Sequence, residues 1–316
     1  MNSTIRKGIF ILLCSLLSTP VAHSQDLASS TAIGKWDLEV QYGEVWLPSW
    51  LEVKLSGNKA LVGYFVGAGG SARPISEVHD REGLISFSIP PQWSGIHDMH
   101  LTGRVSGEAL EGTILDHMGV ARKFRGSKAP ALLYPAPEQW AAPKALLTQN
   151  TLDGWVPQQT GSENQWFVKE GVLTSPASGV NLMTTESFKD FKLHIEFKYP
   201  EHSNSGVYLR GRYEVQVEDS YGKAPSSIYL GGVYGFLTPN ENAAKKPGEW
   251  QSYDITLVGR RVTVVANGKT IIHNQIIPGI TGGALNSREG EPGPILLQGD
   301  HGPVEYRNIT IATPVE

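Results

Sequence analysis

Apolar and polar residues alternate with a period of two along most of this chain, the pattern of strands with one buried face. Residues 50–55 (Trp-Leu-Glu-Val-Lys-Leu), 84–89 (Leu-Ile-Ser-Phe-Ser-Ile) and 192–198 (Lys-Leu-His-Ile-Glu-Phe-Lys) show it cleanly. Between Gly34 and Pro130 the pattern predicts eight strands, at residues 35–42, 50–55, 60–66, 75–79, 84–89, 99–105, 109–116 and 121–125. Turn residues separate them, among them Ser56-Gly57-Asn58, Arg81-Glu82-Gly83 and Ser106-Gly107. No stretch carries the length and 3.6-residue apolar period of a helix. Such a run of hairpins removes its exposed edges by closing, so a small antiparallel β-barrel is expected over residues 33–129. Trp36 and Trp50 are expected in its core, and Trp46 and Trp93 in loops that touch a ligand or another domain.

Alternation stops over residues 130–147, where Pro130, Pro135, Pro137 and Pro143 gather with several alanines, as in a semi-rigid linker. Strands resume in a second unit, residues 148–316. They are predicted at 166–168, 171–174, 182–184, 192–198, 208–217, 251–258, 261–266, 269–273, 295–298 and 304–311. Asn267-Gly268 marks a tight hairpin. Many alternating strands with long connections predict two packed sheets, making the protein all-β throughout. Two of the connections, residues 220–250 and 278–294, are rich in Gly and Pro and are expected to wall a binding site.

The segment from Ser205 to Asp219 reads as one long strand. Val207, Leu209, Tyr213, Val215 and Val217 fall on its apolar face, and Tyr208, Arg210, Arg212, Glu214, Gln216 and Glu218 on the other. The polar face is either solvated and cross-paired or the floor of a groove for a hydroxyl-rich ligand. His202, Asn204 and Asp219 flank it. Near the C-terminus, Gln298, Asp300 and His301 close a strand and its turn; an imidazole there is suited to proton transfer near neutral pH.

Charge removes some function classes. The chain has 27 basic and 31 acidic residues and no basic tract, so nucleic acid is not an expected partner. Neither glycine cluster has the spacing of a phosphate loop. The first 24 residues carry Arg6 and Lys7, an apolar run from Ile9 to Leu17 too short to span a bilayer, and Ala22-His23-Ser24. This is the order of an export signal, with cleavage expected after Ser24 and a secreted or periplasmic destination. Cleavage takes the net charge from −4 to −6 and removes Cys14, the single cysteine, so no thiolate chemistry is expected in the mature chain.

The second unit resembles the 3-keto-disaccharide hydrolase domain family, which has the concanavalin A-like lectin and glucanase fold, a jelly-roll β-sandwich. The resemblance rests on an ordered series: Leu152-Asp153-Gly154-Trp155, the run from Asn204 to Gly211, Tyr213-Glu214-Val215-Gln216, and Gly248-Glu249-Trp250-Gln251-Ser252-Tyr253-Asp254. It continues in Val262-Thr263-Val264 with Asn267-Gly268, in Gly293-Pro294-Ile295 through Gln298-Gly299, in His301-Gly302, and in Arg307-Asn308-Ile309. The first unit resembles small lipocalin-like barrels.

The resemblance implies cleavage of glycosides oxidised at C3. The ketone acidifies the C2 proton, a base removes it, and the group on C1 leaves by elimination before water adds back. Glu214 is then a candidate base or acid, Arg210 or Arg212 a stabiliser of the enolate, and His301 the second proton-transfer group. Asn204, Tyr208, Arg212, Gln216, Glu218, Asp219, Trp250 and Gln298 are candidate substrate contacts. A divalent metal held by carboxylates and His301 is left open. Two other readings compete. A direct glycosidase needs two carboxylates across a groove, but Glu214 and Glu218 stand roughly 13 Å apart along a strand. A non-catalytic carbohydrate binder needs only the fold and the polar face.

Overall fold

The computed structural model describes residues 27–93, 95–159 and 161–315; the predicted export signal lies outside them. Eight antiparallel strands form a closed barrel. They are β1 (Gly34–Tyr42), β2 (Val45–Ser56), β3 (Ala60–Val66), β4 (Arg73–Arg81), β5 (Leu84–Ile89), β6 (Met99–Ser106), β7 (Ala109–Leu115) and β8 (Ala121–Lys128). Closure is made by β1 against β8, with Leu38 opposite Gly126. The inward residues, including Trp36, Leu38, Phe65, Phe87 and Phe124, make one apolar core. The short turns impose neighbour-to-neighbour pairing, and pairing the two terminal strands leaves no edge.

The rest of the chain is a two-sheet sandwich. One sheet has the order β10 (Trp155–Pro157), β13 (Leu182–Thr184), β20 (Leu296–Leu297), β15 (Asn204–Leu209), β16 (Tyr213–Glu218). The other runs β11 (Phe167–Lys169), β12 (Val172–Ser175), β21 (Val304–Ala312), β14 (Phe191–Lys198), β17 (Gln251–Val258), β18 (Arg261–Ala266), β19 (Lys269–Ile276). A short β9 (Lys144–Ala145) also pairs with β21. Val207, Val215, Val217 and Leu297 from the first sheet share a core with Leu193, Ile195, Tyr253, Ile255 and Ile311 from the second.

The proline-rich segment is a strap bound across the sandwich. The Leu132 carbonyl accepts from the Arg260 amide (3.0 Å), Tyr134 donates to Asp190 (2.9 Å), and Trp140 bridges to Pro314.

The barrel is docked on the sandwich. Trp50 is buried as expected, but in the sandwich core and not the barrel core. Its indole fills the space where a side chain on Gly279 would stand; a Cβ there would come within 2.2 Å of the ring. The Gly283 amide donates to the Ala68 carbonyl (3.0 Å), and Ser287 donates to the carbonyl of Leu38. Charge is buried at this junction. Asp37 of β1 lies beside Glu289, which pairs with Arg260 and accepts from Tyr213 (2.9 Å).

Burial, and then Glu289, push the Asp37 carboxyl up to about 9. A raised carboxyl pKa means that the folded protein keeps a proton the unfolded chain loses above about pH 4. Stability therefore falls as pH rises from there to about 9. Asp37→Asn is expected to flatten this slope and raise the midpoint of thermal unfolding at pH 8 by a few degrees, with less effect at pH 5. Unfolding followed by circular dichroism at both pH values checks it.

Candidate active site

The segment from Ser205 to Asp219 is a hairpin and not the single strand expected from its alternation. β15 and β16 are antiparallel, with Tyr208 opposite Glu214, Gly206 opposite Gln216 and Asn204 opposite Glu218. Arg210 and Gly211 make the reversal, both with positive φ (54° and 65°). Three residues separate the paired Leu209 and Tyr213. An odd-numbered reversal keeps even-numbered residues on one face of both strands, so the alternation runs through the turn unbroken. Its consequence is chemical. Tyr208 and Glu214, about 20 Å apart on a single strand, become direct cross-strand neighbours.

The polar face of this hairpin floors a cleft of about 290 Å³. Asn204, Tyr208, Glu214, Gln216, Gln298 and His301 all line it, as do Asn181, Tyr234 and Asp300. Gly282 and Gly283 close it from one long loop, and Gly69, Gly70 and Trp93 reach over from the barrel. The other long loop runs along the free edge of β16, where the Tyr234 amide donates to the Glu214 carbonyl (3.0 Å) and Gly232 accepts from Gln216 (2.9 Å).

Three acceptors in the cleft have no protein partner: Oε1 of Glu214, of Gln216 and of Gln298, on residues only 2%, 4% and 9% exposed. Leaving such atoms unmatched is costly unless a ligand supplies donors, and sugar hydroxyls are suitable donors.

Glu214 is the most perturbed group in the cleft. Burial pushes its carboxyl up to about 8, opposed by the Tyr208 hydroxyl and the His301 charge. The same hydroxyl donates to the Gly282 carbonyl (3.0 Å). Gly206, across the hairpin, makes room for the carboxyl, since a Cβ there would stand 2.2 Å from Oε1. His301 is half-exposed, with Nδ1 on Asp300 Oδ1 at 2.5 Å. That hydrogen bond raises its pKa against the effect of burial, and the charges of Asp300, Glu214 and Glu218 add to it. Nδ1 being taken, exchange with a ligand falls to Nε2.

Four residues expected in the site stand elsewhere. Arg210 is fully buried in the turn, where it donates to the Gly259 carbonyl (2.8 Å) and the Tyr213 hydroxyl (3.0 Å). Arg212 donates to Asn286 (2.9 Å) and the Glu291 carbonyl (2.8 Å). The reversal at Arg210-Gly211 is what carries both guanidinium groups off the floor. Trp250 packs against Lys198 and Arg307 of the other sheet, its ring centroid 3.9 Å from the Arg307 guanidinium carbon. Asp219 accepts from the His202 amide (2.9 Å). Glu218 is half-buried, its carboxyl raised by burial, and it acts on the cleft through its charge on His301. Among the described residues no three His, Cys, Asp or Glu side chains group as metal ligands.

Sequence reasoning missed Asn181 and Tyr234. The first carries no local signal. The second lies in the loop singled out as a wall, where the pairing of Gly231 and Gly232 with Gln216 was the detail to find.

Gly206→Ala tests the cradle. The added methyl is expected to displace the Glu214 carboxyl, leave the fold intact and lower turnover by about tenfold to a hundredfold, the scale of an ångström's misplacement. Steady-state kinetics beside a thermal melt checks it.

A sandwich with unpartnered acceptors in a roofed polar cleft, carrying a sugar-processing domain signature, is a carbohydrate-active protein. Within that class, this chain belongs to the family of the 3-keto-alpha-glucoside-1,2-lyase-like domain, whose family model matches residues 143–312. Similar solved structures include two candidate glycosyl hydrolases from Parabacteroides distasonis. One is 30% identical, with TM-score 0.46, over 55% of this chain and 84% of that one. The other is 24% identical, with TM-score 0.44, over 55% and 100%. A carbohydrate binding module from Bacillus subtilis is 13% identical, with TM-score 0.34, over 51% and 96%. No curated protein matches the chain.

Proposed function

We propose that this protein cleaves the glycosidic bond of 3-keto-glycosides by elimination and rehydration, in the periplasm or outside the cell after removal of residues 1–24. The observation that carries the reading is a buried carboxyl, Glu214, with a pKa near 8 and one unpartnered oxygen facing a polar cleft beside a His–Asp pair. A carboxylate of that basicity is matched to removing a proton made acidic by a neighbouring ketone. Glu214 takes the C2 proton, and the electron pair moves toward the C3 carbonyl oxygen. The C1–O bond breaks, and His301, whose imidazolium form is favoured by its hydrogen bond to Asp300, protonates the departing oxygen. Water then adds across the C1–C2 double bond, hydroxyl to C1 and hydrogen to C2, so the net change is hydrolysis. With Arg210 and Arg212 remote, the enolate-stabilising role passes to the hydroxyl of Tyr234, which lines the cleft.

Incubation with a 3-keto-glucoside and its unoxidised parent in deuterated water tests this. The expected result is cleavage of the keto-sugar alone, with deuterium at C2 of the product beyond that in an enzyme-free control. Cleavage of the unoxidised sugar would favour a direct glycosidase. Binding of both without turnover would favour a lectin. Loss of turnover on chelation, restored by a divalent cation, would bring a metal into the reaction.

A further inference from the structure

The end of the barrel that meets the sandwich holds a second cavity, of about 160 Å³. Its walls include Phe65, Met99 and Ile114, whose side chains belong to or pack against the barrel core. It shares Gly69 and Trp93 with the sugar cleft. Trp93 is 69% exposed, an uncommon position for an indole unless it meets something. Its loop is fixed to the Gly69 loop: Gln92 Oε1 accepts from the Ser71 amide (3.1 Å), and Gln92 Nε2 donates to the Ser71 hydroxyl (3.1 Å). One ledge therefore separates a polar compartment from a mainly apolar one, whose charged residues Arg73 and Asp116 and the imidazole of His117 stand in the same wall. A glycoside has the same division at its C1–O bond.

We propose that the barrel mouth receives the leaving group, and that the substrates are 3-keto-glycosides of an aromatic aglycone. The sugar lies in the cleft over Glu214, the glycosidic oxygen crosses the ledge, and the aglycone ring enters against Trp93, Phe65 and Met99. An apolar cavity of about 150 Å³ is large enough for one aromatic ring. The polar side chains of this wall are Tyr42, Arg73, Gln92, Asp116 and His117. Gln92 is held by Ser71, and Asp116 by Arg122 and the amides of Met118 and Val120, so a second sugar would leave most of its ring of hydroxyls desolvated without a partner. The inference rests on the keto-glycoside reading for the reaction, and on the shared ledge for the aglycone.

Two measurements test it. The first follows binding of free 4-methylumbelliferone to the whole protein, with no turnover required. Saturable binding is expected in the wild type, weakened at least tenfold in Met99→Trp, which fills the mouth. Absence of binding, or equal binding in a folded Met99→Trp variant, would overturn the proposal. The second compares wild-type KM for the 3-keto forms of 4-methylumbelliferyl glucoside and of a glucosyl-glucose disaccharide. It decides the matter even if the variant does not fold. A KM at least tenfold lower for the aryl substrate is expected, and equal KM values would overturn the aglycone assignment while leaving the keto-sugar reaction standing. Probe binding lost in Met99→Trp with neither substrate cleaved would do the reverse, keeping the aromatic site and removing the reaction.

Discussion

Glu214→Gln is expected to lower kcat/KM on a 3-keto-glucoside by about 10²- to 10⁴-fold, with the fold unchanged. The amide keeps the shape and burial of the carboxyl but cannot take a proton. Its melting temperature at pH 8 is expected to hold or rise, because a carboxyl pushed up to about 8 by burial keeps a proton that the unfolded chain has lost, which costs stability as pH rises from about 4 to about 8. In the wild type, kcat/KM should follow a bell with pH. Turnover needs Glu214 without its proton and His301 with one, so activity rises as one group ionises and falls as the other does. The two limbs belong to the coupled pair. The residual activity of Glu214→Gln should therefore lack one limb. Asp300→Asn removes the hydrogen bond and charge that raise His301, and should move the limb that belongs to His301 to lower pH. Turnover of Glu214→Gln within tenfold of wild type would remove Glu214 from the chemistry and place the base at His301.

Arg260→Met is expected to be the most destabilising single change at the barrel–sandwich junction, at about 3–5 kcal/mol. Arg260 and Glu289 are 2% and 0% exposed, and the guanidinium also holds the carbonyls of Pro130 and Pro278. Without it, Glu289 is a buried charge left with the Tyr213 hydroxyl and facing Asp37. For a chain of this size such a loss lowers the unfolding midpoint by roughly 6 °C or more. Exchanging both partners, Arg260→Met with Glu289→Met, should recover most of the stability, since the strongest penalty comes from the orphaned charge and not from the missing pair. Chemical denaturation of the two single variants and the double variant separates these terms. A double variant no more stable than Arg260→Met would show that the lost strap contacts, and not the charge, set the cost.

The sequence by itself determined the all-β architecture and most of its strands. One-sided burial writes period-two alternation directly into residues such as 84–89 and 192–198, and turns need Gly, Asn or Pro wherever the chain reverses. It also placed Glu214, Tyr208, Gln216, Asn204, Gln298 and His301 among the candidate residues, and all six line the cleft. What it did not determine was where the chain reverses between Ser205 and Asp219. A three-residue turn conserves the parity of the alternation, so a hairpin and one long strand look alike. Only the folded hairpin shows that Arg210 and Arg212 leave the floor. Nor does local pattern reveal contacts between residues far apart in sequence. Trp50 against Gly279, Asp37 beside Glu289, and the roofing of the cleft by Gly69, Gly70 and Trp93 depend on how the barrel docks. Burial sets the proton affinity of Glu214 near 8, and burial is a property of the packed whole.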